Sequence, residues 1–301
     1  MKQHLQRKGR VAFCWIGAVL AAGLLLIGIT DLLQTVWSHR RPVFVPAPPR
    51  AEIHAILQKG TRTERDYHLL FQETGLSPTA IEELLDQGAD GYAVILETQK
   101  GFHAAPEAQC VPLIGGRFTC QDLLRDEQGE PVESVPIAAL RPGDLLVSFS
   151  THTMGWRHGH AGLVIDPAKG TVLEAVQLGV NSYLAGVQHW QHYSNFMVLR
   201  VQDATRELGQ RVARFARKHL EDIPYSLLAG LLGDKAQVVE EGPGVHCAYL
   251  PWYAWNSEGV DLDANGGAIV TVGDLARSPE LEVIQVYGMD PAQVEHRVRG
   301  L

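Results

Sequence analysis

The stretch Gly244-Val-His246-Cys247-Ala-Tyr-Leu-Pro251-Trp-Tyr-Ala-Trp255 constrains this chain most. It follows a glycine-rich turn, Glu241-Gly242-Pro243-Gly244, and after Cys247 it is apolar and aromatic on every side. A helix without a polar face has to be buried, so the run predicts a short core helix with Cys247 in its first turn. Pro251 is compatible with that placement, because the first-turn N–H groups have no intrahelical partner to lose. The N-terminal end of a helix carries partial positive charge, which makes a thiol there more acidic and more nucleophilic. The competing reading is an inert buried cysteine. A base elsewhere in the chain separates the two.

The chain has 301 residues, 46% hydrophobic and 20% charged, which indicates a folded globular body. A formal net charge of -8 argues against a nucleic-acid partner held through phosphates. Cys14, Cys110, Cys120 and Cys247 are too few for a disulfide scaffold and contain no C-x-x-C pair.

Lys2, Arg7, Lys8 and Arg10 precede a charge-free apolar run from Val11 to Ile29. That length predicts a membrane-spanning helix, uncleaved because no small-x-small site follows it. The basic flank places the N-terminus in the cytoplasm and the body outside, an orientation that Arg40 and Arg41 oppose. The expected organisation is a membrane anchor over residues 1–30, a Pro-rich linker over 31–50, an accessory helical region over 51–131 and a main domain over 132–301. Four prolines between Pro42 and Pro49 make the linker stiff. In the accessory region Thr63 opens one helix, and Ser77 caps another with Pro78 at its first position. Cys110 and Cys120 can form a disulfide in an oxidising compartment, or remain two thiols.

From Ile137 onward the pattern becomes that of strands. Leu145–Phe149, His160–Ile165, Thr171–Val176, Phe196–Val201, Ala268–Val272 and Leu281–Val286 read as strands, and Ala204–Leu220 as an amphipathic helix. Consecutive strands around turns such as Asp166–Gly170 predict an α+β fold with an antiparallel sheet. That turn brings the strand of His160 beside the strand of Glu174. A base and a carboxylate on one face of neighbouring strands can touch, and the carboxylate can orient the imidazole for Cys247. A carboxylate inside Val172-Leu-Glu174-Ala-Val176 is costly to bury without a partner, unless it faces solvent.

Leu-Arg-Pro-Gly-Asp144-Leu-Leu, Gly-His160-Ala-Gly-Leu-Val-Ile, Leu-Glu174-Ala-Val, Tyr225, His246-Cys247-Ala-Tyr-Leu-Pro-Trp and Val272-Gly-Asp274-Leu-Ala-Arg-Ser-Pro follow one another in an order that resembles the circularly permuted papain-like cysteine hydrolases of the NlpC superfamily, the YiiX-like branch. The resemblance covers about residues 137–287. It departs from the family after Cys247, where Ala-Tyr-Leu-Pro replaces the usual Ser-Glu.

The resemblance implies a thiol hydrolase cleaving amide bonds, with cell-wall peptide (peptidoglycan) as the substrate class. Cys247 would be the nucleophile, His160 the base and Glu174 the orienting carboxylate, with Tyr225 and His246 as substrate or oxyanion donors and no cofactor. Alternatives are a thiol acyltransferase or lipid hydrolase, and a binding module that kept the fold. Two other patterns compete. His152, His158, His160, His189 and His192 can be read as metal ligands, although no acidic base accompanies them. Asp261-x-Asp263-x-Asn265-Gly266 starts like a calcium loop, but Val272 stands where the bidentate glutamate is needed, so a polar turn is expected.

Overall fold

Strands without an apolar–polar alternation need cover on both faces, and three of the predicted strands lack it. The computed structural model describes residues 15–29, 32, 43–48, 50–104, 106–113, 119–153, 156–231, 235–236 and 244–301. Its strands are β1 (Glu107–Pro112), β2 (Thr119–Arg125), β3 (Leu145–Ser148), β4 (Thr151–Thr153), β5 (His160–Asp166), β6 (Thr171–Glu174), β7 (Tyr183–Gly186), β8 (Phe196–Val201) and β9 (Leu281–Tyr287). Six of them form one sheet in the order β7-β6-β5-β3-β8-β9, antiparallel throughout. The order β1-β2-β4 makes a second, three-stranded sheet. Every residue of β3, β8 and β9 is buried.

The helices are α1 (residues 15–29), α2 (His54–Leu57), α3 (Glu64–Thr74), α4 (Pro78–Leu85), α5 (Ala89–Phe102), α6 (Arg206–His219), α7 (Tyr249–Asn256) and α8 (Val272–Arg277). Thr63 and Asp66 close a capping box on α3, and Ser77 accepts the Ala80 N–H at the start of α4, with Pro78 at the first helical position. One face of the six-stranded sheet, with Leu145, Val147, Leu163 and Leu199, packs on Val212 and Ala216 of α6 and on Tyr249, Trp252 and Trp255 of α7. The opposite face, with Leu146, Val164, Val198 and Ile284, packs on Leu70, Ile81, Ile95 and Phe102. The accessory helices are therefore the second layer that the continuous apolar strands require.

Backbone hydrogen bonds join the same two parts. The Ser77 N–H donates to the Ile284 carbonyl at 2.9 Å, and the Val286 N–H donates to the Gly75 carbonyl at 2.8 Å. Gly75 ends α3 with φ of 68°, and a Cβ there would lie 2.1 Å from the Val286 oxygen. Only glycine fits such a left-handed close approach. Gly75→Ala is expected to lower stability by on the order of 1–3 kcal/mol, read as a lower urea midpoint.

A buried ion network ties the layers further. Arg200 on β8 grips Asp144 with two bonds of 2.9 and 2.8 Å and donates to Glu83 of α4 at 2.7 Å. Gln285, fully buried on β9, accepts the Ala138 N–H and donates to the Pro136 carbonyl.

Several expectations need correction. Among the described residues no helix is long and apolar enough to cross a membrane. At 1.5 Å per residue the described stretch of α1, residues 15–29, measures about 22 Å, against ~30 Å for a hydrocarbon core. The transmembrane anchor, the single-pass membrane placement with its extracytoplasmic body, and the membrane partner are accordingly withdrawn. Residues 1–14 with their basic cluster, Arg40, Arg41, Pro42, Pro49 and residues 241–243 lie outside the described residues.

Ala268–Val272 is not a strand. Thr271 and Asp274 form a capping box that starts α8 instead. Helix α7 begins at Tyr249, so Cys247 lies in the turn before it and Pro251 in its first turn. The accessory region is not purely helical, since it contributes the β1–β2 hairpin.

Candidate active site

Strand register brings the first two candidates together. Glu174 on β6 pairs with Gly162 on β5, and His160 lies two residues before Gly162 on the same face. A Cβ at Gly162 would meet Val172 Cγ1 at 2.7 Å, Glu174 Cγ at 3.2 Å and Trp190 Cζ2 at 3.2 Å. The glycine thus leaves the space that the carboxylate and the indole fill. Gly159, with φ of 77° and the Ser148 carbonyl 2.5 Å from where its Cβ would lie, sets the entry into β5.

Glu174 is 1% exposed, and three groups hold it there. His160 Nε2 lies 3.3 Å from Oε2, while His189 Nε2, at 3.2 Å, and the Trp190 Nε1–H, at 2.5 Å, reach Oε1. The indole of Trp190 also stacks on the His160 ring, with centroids 5.3 Å apart and planes 18° from parallel. His189 bonds through Nδ1 to the Gly186 carbonyl at 2.6 Å, so its Nε2 donates to Glu174 when the ring is an imidazolium. Burial works against the Glu174 carboxylate, but the hydrogen bonds from His160 and His189 and their charge outweigh it and bring the group down to about 2.

Cys247 reaches the same place from the other side of the sequence. Tyr225 forms a parallel bridge with Val245, the Val245 N–H donates to the Pro224 carbonyl, and the Ser226 N–H donates to the Val245 carbonyl. Gly244, with φ of 117°, passes so close to Pro224 that a Cβ would lie 2.1 Å from its oxygen. This short ladder presents half-buried Cys247 to His160. Burial pushes the thiol up, but the hydrogen bond to His160, with a lesser contribution from neighbouring His246, prevails and pulls it down to about 5. Burial likewise disfavours the His160 imidazolium, and its bonds to Cys247 and Glu174 overcome that and raise it to about 10. Nε2 of His160 is committed to Glu174, which leaves Nδ1 for the sulfur. Between these values the stable form is a thiolate–imidazolium pair.

Tyr225 and His246 border the thiol. Burial and the neighbouring Cys247 charge raise Tyr225, so its phenol keeps its proton. His246 Nδ1 accepts the Tyr249 N–H at 3.3 Å, which leaves Nε2 as the protonated nitrogen, buried and without a hydrogen-bond partner among the described residues.

The histidines do not converge as metal ligands. His152 bonds to Asp122, His158 to Thr153, and His192 to the Val132 carbonyl, while His160 and His189 share Glu174. In the calcium-like turn, Asp261 accepts from Trp252 Nε1, and Asp263 binds the Lys235 ammonium. A cavity of about 820 Å³ near Phe44, Phe149 and Met289 includes none of Cys247, His160 and Glu174 in its lining.

No sequence motif marks Trp190 and His189 as partners of Glu174. The usable signal was the cost of a buried carboxylate, which demands several donors.

No protein-family model matches the chain, and no curated protein matches it. A crystal structure described as metalloprotein yiiX from Escherichia coli O157:H7 is similar to it at 17% identity and a TM-score of 0.37, over 48% of this chain and 96% of that one. This is a distant neighbour of the YiiX-like kind. It does not confirm the wider NlpC superfamily, and a likeness that weak assigns no chemistry.

Proposed function

We propose that the chain is a cysteine hydrolase that cleaves an amide bond through Cys247, His160 and Glu174. The observation that carries this reading is the buried carboxylate–imidazole pair, 3.3 Å apart, beside the half-buried Cys247 thiol, whose proton affinity the imidazole lowers. In the first step the Cys247 thiolate adds to the substrate carbonyl carbon. The oxyanion accepts hydrogen bonds from the backbone N–H of Cys247 and from the Tyr225 hydroxyl or His246 Nε2–H, and one such donor is worth on the order of 3 kcal/mol. His160 gives its Nδ1 proton to the departing amine as the C–N bond breaks, leaving a thioester. The neutral imidazole then takes a proton from water, and the hydroxide displaces the thiolate to release the carboxylic acid. Glu174 holds the ring throughout and does not take up the proton.

Peptide amides are the substrate class we propose. Cell-wall peptide follows only from the sequence resemblance, and the membrane placement that favoured it no longer stands. An acyl-chain substrate, for a thiol acyltransferase or lipid hydrolase, is favoured by one observation. Leu227 and Leu228, 57% and 51% exposed, directly follow the Tyr225 ladder beside the nucleophile.

The test is the pH profile of Cys247 alkylation by iodoacetamide. The wild-type reaction should be half-maximal near pH 5, and His160→Ala should move it toward the ordinary thiol range near ~8.5. Equal profiles in both proteins, near that ordinary value, would overturn the reading and leave a binding module.

The same pair gives a stability signature. The lowered thiol adds stability as pH rises from about 5 toward its ordinary 9, and the raised imidazole loses stability as pH rises from its ordinary 6.5 through about 10. The two slopes oppose one another between 6.5 and 9, so the pair's contribution climbs from pH 5 to 6.5, stays flat, and falls between 9 and 10. Urea midpoints of wild type against Cys247→Ala across that range measure it.

A further inference from the structure

Cys120 on β2 and His152 on β4 face one another as a register pair in the three-stranded sheet. Cys110 on β1 is joined to Cys120 as a disulfide, with the two Cα atoms 5.6 Å apart. Both sulfurs and one imidazole nitrogen of His152 lie within 4.8 Å of one another. His152 is completely buried. Its Nε2 meets Asp122 Oδ1 at 3.2 Å, and Asp122 is fixed in turn by Arg157 Nη2 at 2.6 Å. Its Nδ1 is buried with no hydrogen-bond partner among the described residues.

A buried polar atom without a partner is costly and calls for an explanation. With Nε2–H donating to a carboxylate, the neutral ring presents a lone pair at Nδ1. Carboxylate–histidine pairs of this kind orient imidazoles that bind metals. We propose that, when the disulfide is reduced, Cys110 Sγ, Cys120 Sγ and His152 Nδ1 bind a zinc-class divalent cation, with water in the fourth position.

Two thiolates and an imidazole are a donor set suited to Zn²⁺. A small dithiol supplies the electrons: its two sulfurs are oxidised to a disulfide while the Cys110–Cys120 bond is reduced to two thiols. The cation then displaces both thiol protons to solvent. Zn–S bonds of ~2.3 Å in a tetrahedron hold the sulfurs about 3.8 Å apart, a separation reachable by side-chain rotation on paired strands. One pair of sulfurs cannot serve both states, so disulfide and metal exclude each other. The proposal stands apart from the hydrolase reading and does not depend on it.

The experiment uses the full chain carrying Cys247→Ser, so that the site thiol cannot bind metal. Under anaerobic conditions the protein is reduced with a phosphine and titrated with Co²⁺, and Zn²⁺ is then competed against a chromophoric chelator. The expected result is one equivalent bound, with the visible bands of tetrahedral cobalt and a thiolate-to-cobalt charge-transfer band. The oxidised protein should show neither. Asp122→Asn should weaken Zn²⁺ binding 10–100-fold. Cys110→Ser, at a half-buried position that leaves the core filled, should diminish the charge-transfer band. Less than one equivalent bound by the reduced protein, or unchanged affinity in a His152→Gln variant with native far-ultraviolet circular dichroism, would overturn the proposal.

Discussion

Glu174→Gln is expected to lower amide turnover by about 10⁴-fold, the order seen when the carboxylate that orients a catalytic histidine becomes an amide. Glutamine keeps the size of the side chain and loses its charge. His160 then loses both the partner that fixes its ring and the charge that holds its proton against burial. The thiolate–imidazolium pair weakens with it, so Cys247 alkylation at pH 6 should fall in the same variant without any substrate present. Parallel loss in both assays marks an electrostatic and positioning role. Loss of turnover with normal alkylation would instead place Glu174 in substrate contact. The carboxylate also contributes to stability. Because its folded value is lowered to about 2, its stabilisation is present above its ordinary 4.5 and is lost as pH falls through about 2. Glu174→Gln should therefore flatten the acid limb of the unfolding curve.

Asp144→Ala should cost roughly 3–5 kcal/mol, because it leaves the Arg200 guanidinium in the interior without its bidentate partner. Arg200 is 4% exposed and Asp144 2%. Glu83 and the Ala139 carbonyl remain as acceptors, which keeps the expected loss inside that range. The double variant Asp144→Ala/Arg200→Met removes the buried charge as well and should be more stable than Asp144→Ala alone, a non-additivity that urea unfolding reads directly. A single variant that loses under ~1 kcal/mol would mean that the pair is neutral or wet in the folded protein. Neither residue touches the site, so alkylation of Cys247 should keep its profile in whatever fraction remains folded.

The sequence announced the parts of the site that obey short-range rules. A turn at Asp166–Gly170 and period-two alternation suffice to place His160 and Glu174 on facing strands, and the structure has them 3.3 Å apart. Apolar residues on all sides of Leu250–Trp255 suffice to bury α7. What could not be read comes from elsewhere in the fold. Trp190 and His189 sit on a 3-10 helix over Val187–His192, too short to carry a periodic signal, and only the folded sheet delivers them to Glu174.

Ala268–Val272 illustrates a conflict between signals. Its β-branched residues favour a strand, but Thr271 followed three residues later by Asp274 is a capping pattern, and the cap prevailed. At the N-terminus, absence of charge favours a membrane span, whereas among the described residues no helix is long and apolar enough to cross a membrane. The continuous apolar strands need cover on both faces, and the accessory helices supply the second layer.

That second layer has a consequence for synthesis. The helices carrying Leu70, Ile81, Ile95 and Phe102 leave the ribosome long before β9, whose Ile284 and Val286 they must join through Gly75 and Ser77. Their greasy side stays bare while some two hundred further residues are translated, on the order of 10–40 s at typical rates. Pairings between chain segments so distant close late. The nascent chain is thus a natural client for holding chaperones, and a ribosome that stalls before residue 281 releases an open, sticky product in place of a smaller working protein.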